Sequence, residues 1–361
     1  MATFFYILCL VLFSSCRSFR SCDIPKVTSQ VRFKMGIDDN YVKTVDVLSL
    51  DSIRATLIRQ EETIIFALIE RSQYRRNSIV YEKNGMKDTA NPKGSEEFDE
   101  NLSFLESFII GTEALHSGVR RYTSPEEHPF FSHKLPSKER RSLPDLEYPE
   151  ILDVDAAKVN FNPILLKKYI GVILPSLTSD GDDEQHGSST LCDITALQAL
   201  SRRVHYGKFV AESKYRADPE SYKRLVDAGD ADGVMELLTN DAVERMVLKR
   251  ARLKAATYGR EPLLTAAFQM EAGTSETTSV VAAAAASAVV SAMEAMNGEH
   301  QQGKIDPLVM ESIYRDIIIP LTKDIEVAYL FRRCGRDPPK EYSPDRMSND
   351  MKIFPKNEME A

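Results

Sequence analysis

The sequence predicts an all-α fold, and three observations carry the prediction. Apolar residues recur at helical spacing in one segment after another, several of them much longer than the usual helix of about 11–12 residues. Helix-start chemistry stands at the head of the first and last of these segments, Ser49 in one and Asp306-Pro307 in the other. Sustained two-residue alternation, the mark of half-buried strands, occurs nowhere. The composition is that of an ordinary globular chain, with 361 residues, 43% hydrophobic and 28% charged. It argues against collagen, a disulfide scaffold and a polytopic membrane protein. The net charge is −8, from 46 basic and 54 acidic residues, so no basic footprint calls for nucleic acid. Three of the five cysteines, Cys9, Cys16 and Cys22, cluster at the N-terminus, and Cys192 and Cys334 have no metal-like spacing. No metal site is expected.

Residues 1–22 read as a targeting presequence. Phe4 to Phe13 is an apolar run of about ten residues, too short to cross a bilayer as a helix. Ser14 and Ser15 follow it, then Arg17, Ser18, Phe19 and Arg20, the pattern of a signal h-region with a basic continuation. The alternative is a buried N-terminal strand. Residues 23–44 show no period and read as a linker, which leaves 45–334 as one large domain with no membrane segment in the mature form. Its first helix starts near Leu48 with Ser49 as N-cap and carries the stripe Ile53, Leu57, Ile64 and Leu68. Polar residues 77–100 hold the turn signals Asn84-Gly85 and Asn91-Pro92-Lys93-Gly94. A second helical pattern covers Phe98 to Arg121, and five prolines mark 122–149 as a long connection. Helices are then expected over 162–177, 190–216, 219–228, 230–238 and 240–258. Residues 261–304, with Ala282 to Ala286 and many Ser and Thr, have no polar face opposite an apolar one and read as a low-complexity insertion. The last helix runs from Asp306 to Arg333, with a kink expected because Pro320 frees the carbonyl of Asp316. The polar, proline-bearing residues 335–361 read as a disordered tail.

The most informative segment for chemistry is Ser201 to Lys214, SRRVHYGKFVAESK. Arg203 and Lys214 are eleven residues apart, which on one helix places them on one face about 16 Å apart. Gly207, Val210 and Ala211 lie between them, a floor of small side chains under two long cations, suited to a compact dianion. The plain alternative is a solvated basic face. Against it stands Gly207, which costs up to about 1 kcal/mol inside a helix and implies that something approaches the backbone. Arg54 adjoins the apolar stripe of the first helix and is expected at the edge of the core. Asn240 and Glu244 form an i, i+4 pair at a helix start, where Asp241 to Glu244 also resembles a capping box. Thr322 and Glu326 form another such pair beyond Pro320, and a buried carboxyl there would have a raised pKa and could donate a hydrogen bond. The acidic run Asp180 to Glu184 lacks the spacing of a calcium loop. Walker, dinucleotide, nucleophile-elbow and paired-His motifs are absent. What remains is equipment for binding a dianion and stabilising developing charge.

At these residues the sequence resembles the all-helical chorismate mutases of fungi and plants. The resemblance runs from about Leu48 to Arg333, excluding the insertion, and rests on four ordered blocks: IRATLIRQEETIIFALIERSQY, HSGVRRYTSPEEHPFF, LQALSRRVHYGKFVAE and IPLTKDIEVAYLFRR. It implies a dimeric multi-helix bundle that rearranges chorismate to prephenate with no cofactor and no covalent step. By that resemblance Arg54 and Arg203 clamp the two substrate carboxylates, and Lys214 bonds the ether oxygen. Protonated Glu326 gives that oxygen a second hydrogen bond. Glu244 holds the ring hydroxyl, and Asn240 and Thr322 complete the polar lining.

The resemblance also implies regulation at a dimer interface, with tyrosine inhibiting and tryptophan activating. The matching positions are Arg120, Arg121, Gly187 and Ser188. Glu184 and Gln185 stand where the fungal pattern has two asparagines, and Leu191 replaces a threonine, which puts the pattern of response in question. An exposed basic pair is the alternative for Arg120 and Arg121. The presequence would suit an algal plastid reached through the endomembrane system, with cytoplasm as the alternative compartment. Two other readings are a secreted chorismate mutase acting outside its cell, and a non-catalytic helical dimer that only binds an aromatic amino acid.

Overall fold

In the computed structural model residues 48–86, 102–137, 151–258 and 304–346 are described, and the regular structure among them is helical throughout. Helix α1 (Leu50–Arg71) begins where its capping chemistry places it, with Ser49 Oγ accepting the Ser52 N–H at 3.2 Å. Its stripe is buried as expected at Ile53, Ile64 and Leu68 and half-buried at Leu57. Helix α2 (Phe104–Gly118) is shorter at both ends than the expected Phe98 to Arg121. Ser103 and Glu106 close a capping box at its start, and Arg120, in the left-handed region at φ 67°, ends it. The long connection that follows is pinned to α2, since Glu113 accepts the N–H groups of Phe130 (2.6 Å) and Phe131 (3.0 Å).

Helix α3 (Asn162–Lys168) continues through a π turn (Tyr169–Ile173) into α4 (Leu174–Leu177). The single helix expected over 190–216 is instead two, α5 (His186–His205) and α6 (Gly207–Ala217). The step between them is Tyr206, at φ −65° and ψ −15°, whose carbonyl accepts from Phe209 only three residues on. Arg203 and Lys214 therefore stand on different helices, one on either side of this step. Then come α7 (Pro219–Ala228), capped by Asp218, α8 (Ala231–Leu238), capped by Asp230, and α9 (Asp241–Tyr258). Asp306 caps α10 (Pro307–Ile313), which passes through a second π turn (Tyr314–Ile318) into α11 (Ile319–Arg333).

The two π turns have one cause. Each ends two residues before a proline, Pro175 or Pro320, whose missing N–H leaves the carbonyl four residues back without its usual partner. The chain widens there, and the Leu174 and Ile319 N–H groups reach the carbonyls of Tyr169 and Tyr314, five residues back. The disturbance expected at Pro320 thus takes the form of a π turn inside a continuing helix.

Within the expected tail, residues 340–342 form a 3-10 turn, Tyr342 packs on the core, and Arg346 reaches Asp324 at 2.7 Å, so this part of it is docked rather than disordered. Residues 1–22, the 23–44 linker, 347–361 and all of the insertion except Lys304 lie outside the described residues. No described helix is long and apolar enough to cross a membrane.

Two apolar clusters form the core. One gathers Ile64 and Leu68 with Leu197, Leu200, Val204, Tyr314, Leu321 and Ile325; the other gathers Ile53 with Tyr206, Phe209, Tyr222, Leu238, Val327 and Leu330. Helices α1 and α11 and the α5–α6 step contribute to both. Polar residues that interrupt these stretches, Arg203, Thr322 and Glu326, are therefore held where the clusters meet.

Candidate active site

The closest approach in this region is between Gly207 and α11. A Cβ at 207 would meet Thr322 Cγ2 at 2.8 Å, Thr322 O at 3.1 Å and Glu326 Cγ at 3.3 Å. The expectation that something approaches the Gly207 backbone holds, but the visitor is the last helix. The small residues read as the floor of a dianion groove, Gly207 and Ala211, are buried in packing, and only Val210 is half-exposed. What the small residue achieves is the delivery of Thr322 and Glu326 to the α5–α6 step.

Glu326 is 6% exposed, and burial pushes its carboxyl up to about 7 against the opposing pull of Lys214, Arg203 and Lys323. Glu244 adds to the rise. Arg203, Lys214, Glu244 and Glu326 are thus brought together. Thr322 joins them one turn before Glu326, with its hydroxyl donating to the Ile318 carbonyl at 2.6 Å. Lys214 is half-buried and donates to the carbonyl of Leu238.

Arg203 is 5% exposed, and its Nε and Nη1 are buried with no hydrogen-bond partner among the described residues. Burial lowers its pKa, while Tyr314, Glu61 and Glu326 pull it back up. A buried cation left this way costs free energy until an anion answers it. The phenol of Tyr314 is likewise buried and unpartnered. Glu61 does not answer Arg203 by contact, because its carboxylate is held by Arg250 through a two-pronged pair at 2.6 and 2.7 Å, with Lys254 at 3.5 Å.

Asn240 is exposed and its Oδ1 accepts the Val243 N–H at 3.2 Å, so the capping role weighed for this stretch falls to Asn240 itself. Glu244 is bonded to Lys323 at 2.6 Å. Arg54 departs from expectation. It is exposed and pairs with Asp51 at 3.2 Å, because its neighbour Ile53 takes the inward position on α1.

Arg121 donates to Glu127 (3.0 Å), Gln198 (2.8 Å) and His116 Nδ1 (3.1 Å), and Glu127 also accepts from Arg202 Nε at 2.6 Å. Arg120, Arg121 and Arg202 line a cavity of about 620 Å³ with Arg59, Gln60 and Glu126. Gly187 and Ser188 stand in the first turn of α5, about 16 Å along the axis from Gln198. One chain does not bring the two halves of the expected effector site together.

The sequence reading missed Glu61, Arg250, Tyr314 and Lys323. Glu61 did leave a signal, since it lies four residues after Leu57 and three before Ile64 and so interrupts the apolar stripe of α1. No three His, Cys, Asp or Glu side chains among the described residues converge as a metal set.

A family profile described as chorismate mutase type II matches residues 187–327. The chain is 38% identical over 309 residues to chorismate mutase 1, chloroplastic, of Petunia hybrida, covering 86% of this chain and 83% of that protein. Its fold is similar to that of the Aro7p chorismate mutase of Candida albicans in complex with L-Trp, with TM-score 0.65 and 37% identity over 82% of this chain and 95% of that one. It is also similar to AtCM1 with tyrosine bound in its allosteric site, with TM-score 0.62 and 36% identity over 80% and 98% of the two chains.

Proposed function

The chain belongs to the type II chorismate mutases, and on that premise we propose that the cluster around Glu326 is where chorismate rearranges to prephenate. The all-helical fold expected from the sequence is the fold of that family. In the rearrangement a carbon–carbon bond forms as the ether C–O bond breaks within one molecule. The protein's part is to hold the reactive conformer and to meet the charge that gathers on the ether oxygen.

Arg203 takes one substrate carboxylate, the anion that its unpartnered Nε and Nη1 lack. Arg54 takes the other by leaving its exposed pair with Asp51, a contact worth little in water. Lys214 has three N–H donors, so it can serve the ether oxygen and still hold Leu238. Glu326 in its acid form supplies the second donor, Glu244 accepts from the ring hydroxyl, and Asn240 and Thr322 complete the lining. The observation that carries this reading is a buried, unanswered arginine beside a carboxyl whose pKa burial raises to about 7. The test is an assay of the purified chain for chorismate loss and prephenate gain. Arg203→Ala should raise KM and lower kcat together, and an unchanged kcat/KM would place the site elsewhere.

For regulation, Arg120 and Arg121 of one copy and Gly187 and Ser188 of another form a shared effector site in a homodimer. Support comes from their separation within one chain and from the exposed apolar side chains Leu115, Val119 and Leu191 beside the two halves. Tyrosine and tryptophan are the effectors proposed, as the ligands named for AtCM1 and for the Candida enzyme. Residues 1–22 act as a plastid presequence, in keeping with the chloroplastic Petunia relative. A two-part presequence suits an algal source. Cytoplasm and secretion are the outcomes that a fusion of residues 1–45 to a fluorescent reporter distinguishes from it.

A further inference from the structure

Two carboxyl groups, Glu244 and Glu326, lie near enough in the proposed site to interact electrostatically, and the chemistry asks opposite things of them. One must accept a hydrogen bond as an anion, and the other must donate one as an acid. The groups facing Glu326 are Arg203 from α5, Lys214 from α6, Tyr222 from α7, Glu244 from α9 and Lys323 on its own helix. Burial raises the Tyr222 phenol to about 12, so it stays neutral. Of the cations, Arg203 has its Nε and Nη1 without a partner among the described residues, and Lys214 is bonded to the Leu238 carbonyl. Lys323 alone among these groups makes an ion pair within the set, with its Nζ 2.6 Å from Glu244 Oε1.

We propose that Lys323 is a positioning residue that fixes the Glu244 carboxyl as the acceptor for the ring hydroxyl. The proposal rests on the site reading given above. Its physical basis is that a carboxyl in direct contact with an ammonium is held in one orientation, while the same charge works against the proton on Glu326. Glu244 has 28% of its side chain exposed, and the Lys323 ammonium sits on it. Lys323 follows Thr322 and lies three residues before Glu326, so one turn of α11 carries the lining hydroxyl, the positioning cation and the acid.

The test uses the full chain with Lys323→Gln, Lys323→Met and Lys323→Arg, and with Glu326→Gln in parallel. kcat and KM for chorismate are followed from mildly acid to alkaline pH. In Lys323→Gln the fall of activity at alkaline pH should move up by about one pH unit, because Glu326 loses a facing cation. KM should rise about tenfold, with a smaller change in kcat at acid pH, because Glu244 is no longer held toward the ring hydroxyl. Lys323→Met should behave alike, and it keeps the stem packed if Lys323→Gln folds poorly. Lys323→Arg retains the cation and should restore both quantities. An unmoved alkaline limb with an unchanged KM overturns the proposal, and so does an arginine variant no better than glutamine. If Glu326→Gln flattens the limb while the Lys323 variants leave it in place, this proposal alone fails. If Glu326→Gln keeps the limb, the underlying site reading fails.

Discussion

Gly207 and Thr322 pack so closely that any side chain at 207 would place its Cβ 2.8 Å from the Thr322 methyl. The contact joins the α5–α6 step to α11, and Glu326 Cγ lies only 3.3 Å from the same point. Gly207→Ala should gain up to about 1 kcal/mol of helix propensity and lose about 1–3 kcal/mol to overpacking. Turnover should fall more than stability does, because the group pushed aside carries the acid. Thermal melting and kcat measured on the same preparation check this.

Lys214→Met keeps most of the stem and removes the ammonium. Loss of one donor to a developing oxyanion costs about 3–4 kcal/mol, or roughly 100- to 1000-fold in kcat. Steady-state kinetics check it, and near-normal turnover would remove Lys214 from the proposed site.

Replacing residues 261–303 with a short Gly/Ser linker should preserve folding and most activity. Tyr258 stacks on Phe66 and the Lys304 carbonyl accepts from Ser72, so both stems dock on α1 at positions about 9 Å apart along its axis. Shortening a loop changes closure entropy by only about 0.6 kcal/mol per halving. Circular dichroism and the chorismate assay read the result, and a collapse of folding would show that the insertion packs on the body.

His205 and Glu326 tie stability to pH in opposite senses. His205 Nε2 accepts the Phe161 N–H at 3.0 Å and Nδ1 faces the Ser201 carbonyl at 2.8 Å, which fixes a neutral ring. Burial, then His128 and Lys208, hold its pKa well below 6.5. Its contribution is therefore present above about 6.5 and lost as pH falls below that, by about 1.4 kcal/mol per pH unit. Glu326 has a raised folded-state pKa, so its contribution is full below 4.5 and lost as pH rises through about 7. The span corresponds to about 3 kcal/mol. Urea melts should show His205→Gln losing the acid-side slope and Glu326→Gln losing the alkaline-side one.

Caps and stripes were legible in the sequence because their chemistry is local. Ser49 binds an N–H three residues on, and Asp306 binds one two residues on. The α5–α6 break was not legible, since a change in ψ at Tyr206 leaves no mark on the apolar period. Gly207 was read correctly as a close approach and wrongly as a floor for ligand, because nothing in the sequence says which helix arrives. The pair Glu61–Arg250 spans 189 residues and appears only when α1 and α9 pack. Lys323 was in view beside Thr322, yet its partner sits on another helix. The arginine expected at the core edge, Arg54, is exposed because the choice between it and Ile53 turns on a helix rotation of one residue.

The most direct test of the account is the pH dependence of turnover for the native chain beside Glu326→Gln. With the Glu326 carboxyl at about 7, native activity should fall as pH rises through neutrality and the acid is lost. The glutamine variant carries a permanent N–H donor of similar shape, so its profile should stay nearly flat over the same range. Two profiles that fall in parallel would mean that the titrating group lies elsewhere and that Glu326 is not the donor to the ether oxygen.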